Sequence, residues 1–282
     1  MQRELQQLVP GRATSDGAGV RINRSLGQTP QARFDPFLML DEFNSENADD
    51  YIAGFPSHPH RGFETVTYML DGHMLHEDHL GNKGHLRSGD VQWMTAGRGI
   101  IHSEMPQQEQ GLMRGFQLWI NLPAAEKMKP AGYRDIPSAE IPVVDLPEGG
   151  RIKVIAGEVD IADEKTAGPI NGLSTAPIYW DLHLPAGAAF TQAVPAEHNL
   201  FVYVYQGAIA LGEDKRQVSR GNAGLTFKGG DQLSIRALNE ESRVLVLAGK
   251  PIREPIAQYG PFVMNTPEEI EQAIMDYRNG AF

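Results

Sequence analysis

Apolar and polar side chains alternate along most of this chain, which is the period of a strand with one face buried. Val66, Tyr68 and Leu70 share one face of 65–70, and Val91, Trp93 and Thr95 alternate with Gln92 and Met94. Leu112, Phe116, Leu118 and Ile120 form a similar face after Gly111. The pattern returns over 151–156, 178–184, 200–205, 225–227 and 243–248. The 30 glycines and 19 prolines are scattered between these runs and cut the chain into short segments. No longer period recurs, so the pattern predicts sandwiches or barrels of short strands, not a solenoid or propeller.

One element breaks the alternation. Thr266-Pro267-Glu268-Glu269 reads as an N-cap, a proline at the first helical position and a capping-box glutamate. Ile270, Ala273, Ile274 and Tyr277 follow at helical spacing, with Gly280 past the end, so a helix is predicted over about 267–279. The first β-rich half stops at Asn121-Leu122-Pro123, and the polar, proline-containing stretch 124–147 reads as a linker. The chain is therefore expected to be all-β in two domains, over 1–130 and 131–282, with one short C-terminal helix.

Composition narrows the chemistry. Against 25 Lys and Arg stand 36 Asp and Glu, a formal charge of −11, which repels a phosphate backbone and argues against direct nucleic-acid binding. No basic run suited to anionic lipid is present, the N-terminal residues lack an apolar signal core, and no stretch approaches a membrane span. A cytoplasmic location is expected. The absence of cysteine removes disulfides, thiolate zinc sites and cysteine nucleophiles together, so a metal here must use histidine and carboxylate ligands.

Seven of the nine histidines lie between His58 and His102. In His58-Pro59-His60 the imidazoles are two residues apart, which in extended chain puts both on one face. His102-Ser103-Glu104 repeats the spacing with an imidazole and a carboxylate. A lone His-x-His is ordinarily surface or core decoration, but two pairs of matched parity on neighbouring strands can converge on one point. Three neutral nitrogens and one anionic oxygen suit one divalent ion, Fe(II), Mn(II), Ni(II), Cu(II) or Zn(II). Parity alone allows Glu64 as well as Glu104 to be the fourth ligand. His73, His76, His79 and His85, in a Gly-flanked segment, read as exposed hairpin histidines, and Gly97-Arg98-Gly99 reads as a tight turn. The second half has only His183 and His198 and no His-x-His, so a barrel there is expected to hold no metal and to be filled by side chains such as Phe201, Tyr203 and Tyr205.

HPHRGFETVTYML followed by GDVQWMTAGRGIIHSEMP resembles the signature of the pirin family within the cupin superfamily. The general cupin pattern can be laid on His58, His60, Glu64 and His102, whereas the pirin resemblance implies His58, His60, His102 and Glu104 as ligands, with Glu64 accepting a hydrogen bond from a ligand ring. It implies two cupin-type β-barrel or jelly-roll domains in tandem, metal in the first alone, with Fe(II) favoured. It also implies an activity found in some pirins, quercetin 2,3-dioxygenation, with a flavonol or other phenol and O2 as partners, and with Glu104, itself a ligand, or Glu64 accepting the proton. The other role that the resemblance implies is that of a metal-bearing regulator acting through a protein partner.

Overall fold

A computed structural model describes residues 1–29, 32–227 and 229–282. Strands dominate, and they fall into two units built alike, two cupin domains in one chain. In the unit that carries the histidine cluster, a seven-stranded sheet runs in the order Gly132–Ile136, Val91–Thr95, Phe63–Asp71, Met113–Asn121, Phe37–Ser45, Val20–Leu26, Arg12–Asp16. A four-stranded sheet faces it in the order Phe55–His60, Ile100–Pro106, His73–Asp78, Lys83–Arg87. Val20, Ile22, Phe43, Met69 and Met113 from the large sheet meet Met74 and Leu86 from the small one. The other unit repeats the arrangement with seven strands, Asn199–Gln206, Ser242–Gly249 and Ile178–Leu184 at the centre, and four more. Trp180, Val202 and Val246 pack there against Phe190, Leu233 and Ile235. Phe201, Tyr203 and Tyr205, on the opposite face of their strand, are fully buried too.

The helix forms where the cap pattern places it, Pro267–Arg278. Thr266 Oγ1 accepts from the Glu269 amide at 3.3 Å, and the Glu269 carboxylate accepts from the Thr266 amide at 3.0 Å, so two otherwise orphaned donors are satisfied. Ile270 and Ala273 bury against Phe262 and Met264.

The division of the chain differs from the expected cut near residue 130. Arg12–Arg33, Phe37–Ser138 and Ile252–Phe282 make up the histidine-bearing unit, and Met1–Gly11, Phe34–Pro36 and Ala139–Pro251 make up the other. The first segment leaves its half because Gln7–Pro10 hydrogen-bonds along Asn222–Thr226 as an edge strand. At the other end, Arg61 Nη1 binds Asp276 at 2.7 Å and the Val263 amide donates to the Arg61 carbonyl at 3.0 Å, fastening the C-terminal segment to the histidine-bearing unit. The stretch read as a linker is likewise structured. Gly132–Ile136 pairs with Val91–Thr95, satisfying its backbone while its polar side chains stay largely in solvent.

Candidate metal centre

Register brings the two histidine pairs together. The strands Phe55–His60 and Ile100–Pro106 are antiparallel, with His102 opposite His58, His60 opposite Ile100, and an irregularity between His102 and Glu104. His58 Nε2 lies 2.9 Å from His60 Nε2 and 3.1 Å from His102 Nε2. Among the described residues, these three imidazoles offer ligand atoms that all lie within 4.8 Å of one another, so they could hold a metal ion.

The tautomers favour a cation at that point. His58 Nδ1 donates to the Pro56 carbonyl at 2.8 Å, which leaves a lone pair on His58 Nε2, facing the other two rings. Burial first, and then the close neighbour His58, holds His60 well below the ordinary histidine range. His102 is held down by burial first, then by His60, His58 and His76. Neutral rings whose lone pairs converge repel one another unless a cation sits between them, and neutral imidazole is the form that ligates. The donor set fits a divalent ion.

Glu104 stands outside the 4.8 Å group but lines the same cavity as His58 and His60. Thr67 Oγ1 lies 2.8 Å from Glu104 Oε1 and 2.6 Å from Gln117 Oε1, and Gln117 Nε2 donates to Glu104 Oε2 at 3.5 Å. Thr67 and Gln117 are cross-strand partners, so one register fixes both supports. Glu64 goes elsewhere. It is three residues from Thr67 on the strand Phe63–Asp71 and so faces the opposite side of the sheet. Its oxygens accept from Trp93 Nε1 at 3.1 Å and Thr95 Oγ1 at 2.7 Å, with Lys129 Nζ at 3.7 Å, and none of these partners is an imidazole.

His76 is the residue that the sequence reading misplaced. Instead of being exposed on the hairpin, it is fully buried, and its Nε2 lies 2.9 Å from His102 Nδ1. Where His102 ligates through Nε2, its Nδ1 carries the hydrogen and donates to His76, which fixes the ring. Met74 and His76 are the buried positions of His73–Asp78, and that alternation was the signal available. His79 and His85 are exposed, as expected of hairpin histidines. The turn before His102 has positive φ at Gly97 (51°) and Gly99 (149°), and a Cβ on Gly97 would come 2.2 Å from the Lys129 carbonyl oxygen.

A cavity of about 740 Å3 opens on His58, His60 and Glu104. Leu38, Met39, Phe43, Phe55 and Trp119 give it an apolar wall, and the Trp119 ring lies 5.2 Å from that of His60. Its size and lining suit a small aromatic molecule.

Residues 19–120 match the Pirin family, and residues 179–282 match the Pirin C-terminal cupin domain. A Pseudomonas aeruginosa protein named "Putative quercetin 2,3-dioxygenase" is 54% identical over 279 residues, 99% of this chain and 97% of that protein. Human Pirin is 41% identical over 274 residues, 96% of this chain and 91% of that one. A crystal structure of quercetin 2,3-dioxygenase from Acinetobacter baumannii superposes with a TM-score of 0.90 at 34% identity, covering 100% of this chain and 99% of the other.

Proposed function

The chain belongs to the pirin family, and on that premise we propose that it is a metal-dependent dioxygenase cleaving quercetin-type flavonols. The observation that carries the reading is the convergence of three imidazole Nε2 atoms, two of their rings on the wall of a largely apolar cavity. His58, His60, His102 and Glu104 would hold one divalent ion, Fe(II) in the first place, with Cu, Ni, Mn or Zn as alternatives. When bound, the ion supplies Lewis acidity and an electron route between an aromatic enolate and O2.

The protein's own groups account for the rest. Leu38, Phe55 and Trp119 take the flavonol rings and exclude water from the reacting carbons. Glu104 accepts the proton of the 3-hydroxyl, and Thr67 and Gln117 hold its carboxylate in place for that transfer. His76 keeps the His102 ring from turning its lone pair away. The names of the Pseudomonas and Acinetobacter relatives support the flavonol as substrate.

Oxygen uptake tests this reading. Metal-loaded protein is expected to consume O2 when quercetin is added, and not with a flavone lacking the 3-hydroxyl, which has no proton there to give up. Bound metal with no uptake across a panel of phenols would instead favour the regulatory role, with a protein as partner.

A further inference from the structure

Arg24 and Arg33 both line the cavity, and their surroundings differ. Arg24 is neutralised. Its Nε and Nη2 meet the two Asp41 oxygens at 2.7 Å each, and Nη2 also reaches Asp16 at 2.6 Å. Burial pushes the Asp41 carboxyl up to about 6, still below neutral pH, so that pair stays ionised. Arg33 has no such counterpart. Its Nη2 donates to Gln258 Oε1 at 2.5 Å, and among the described residues no carboxylate lies within ion-pairing distance of it. Pro30 and Gln31, close to it in sequence, carry no charge that could serve.

Arg33 is half-buried, and burial alone, with no neighbouring charge acting on it, holds its guanidinium below the usual arginine range. A cation partly withdrawn from water without a counter-ion is unfavourable. A guanidinium has five N–H donors in a planar fork, and the amide of Gln258 uses one of them. The fork matches a planar carboxylate, whose two oxygens would supply both a counter-charge and two acceptors in the fork's own plane.

Resting on the reading of this cavity as the substrate site, we propose that Arg33, with Gln258 beside it, is a carboxylate subsite, and that the physiological ligand is an aromatic carboxylate. The apolar wall takes the rings and Arg33 takes the acid. The same wall explains why a neutral flavonol can enter as well, without using this contact.

The test compares flavone-4′-carboxylic acid with its neutral carboxamide, by calorimetry on anaerobic metal-loaded protein. Neither probe has a 3-hydroxyl, so the result does not depend on flavonol turnover. A failure of the dioxygenase reading appears in oxygen uptake, and a failure of this one in the acid-to-amide ratio. The acid is expected to bind about tenfold or more tighter than the amide, in line with a charge-assisted hydrogen bond in a partly dry site, with the advantage shrinking as salt is added. Arg33→Gln is expected to abolish the preference, and Arg33→Lys, which keeps the charge without the fork, to retain only part of it. Equal affinities in the unaltered protein would overturn the proposal. So would an acid preference that persists unchanged in Arg33→Gln, which would place the carboxylate on the metal instead.

Discussion

Glu104 and Glu64 are both buried carboxylates of one unit, and their neighbours separate them. Glu104 faces the cavity with Thr67 and Gln117 behind it, while Glu64 is used up by Trp93, Thr95 and Lys129 on the far side of the sheet. Glu104→Gln keeps the size but removes the anionic donor. Loss of a group that merely supports a ligand typically weakens metal binding ~10–100-fold, and Glu104→Gln should lose at least that much by competition titration. Glu64→Gln should change metal affinity little and show its cost in thermal stability. A site emptied by Glu64→Gln and left full by Glu104→Gln would refute the assignment. His76→Phe fills the same space without accepting from His102, and an affinity loss of ~10–100-fold is expected there too. Unchanged affinity would mean that His102 needs no partner to hold its ring.

Many of the strands were legible because each has a face that repeats every second residue. Phe63–Asp71, Val91–Thr95, Arg151–Ala156 and Ile178–Leu184 lie at or close to the predicted spans. Gly132–Ile136 was not legible, since it joins through its backbone and buries only Ile136. His58, His60 and His102 were found by parity. Thr67 and Gln117 were missed because polar residues on a strand read as solvent-facing, and only the register shows what they meet. The close approach at Gly62 was equally invisible. Its φ is +90°, and a Cβ there would lie 2.0 Å from the Val263 carbonyl oxygen. Gly62→Ala must push the strand Phe262–Met264 away from Arg61, next to His60, and is expected to cost about 2 kcal/mol or more, with weakened metal binding as a companion. Thermal unfolding with and without metal measures both, and an unchanged Tm would show that the segment yields freely.

Across the whole histidine-bearing unit, Lys127 ties together parts that are distant in sequence. Its Nζ donates to the Gly62 carbonyl at 2.7 Å, Asn121 Oδ1 at 2.6 Å and the Val263 carbonyl at 3.0 Å. Burial brings it down from 10.5 to about 8, against the opposing pull of Glu254 and Glu269. Between those values the unfolded chain binds more protons than the folded one, so this group makes stability rise as pH climbs from about 8 to 10.5, and its contribution is flat below 8. Lys127→Met should lose that rise, seen as the difference between the two denaturation curves across pH, and should be less stable at pH 7 because three acceptors lose their donor. Parallel curves would mean that Lys127 titrates normally. The exchange of chain ends between units belongs to this scale as well, and no periodicity announces it. Gln7–Pro10 finds Asn222–Thr226 through backbone pairing, and Arg61 finds Asp276 through one ion pair, each across more than 200 positions.

The central claim is that this protein places both atoms of O2 into a flavonol at the three-histidine centre, and isotope labelling reads that directly. Metal-loaded protein is turned over with quercetin under 18O2, and the product is weighed by mass spectrometry, beside His60→Ala protein and the same metal free in buffer. The account predicts two labelled oxygens in the cleaved product from the unaltered protein, and little or none from either control. Bleaching that carries no pair of labelled oxygens, or labelling at the same rate with His60→Ala or free metal, would contradict it.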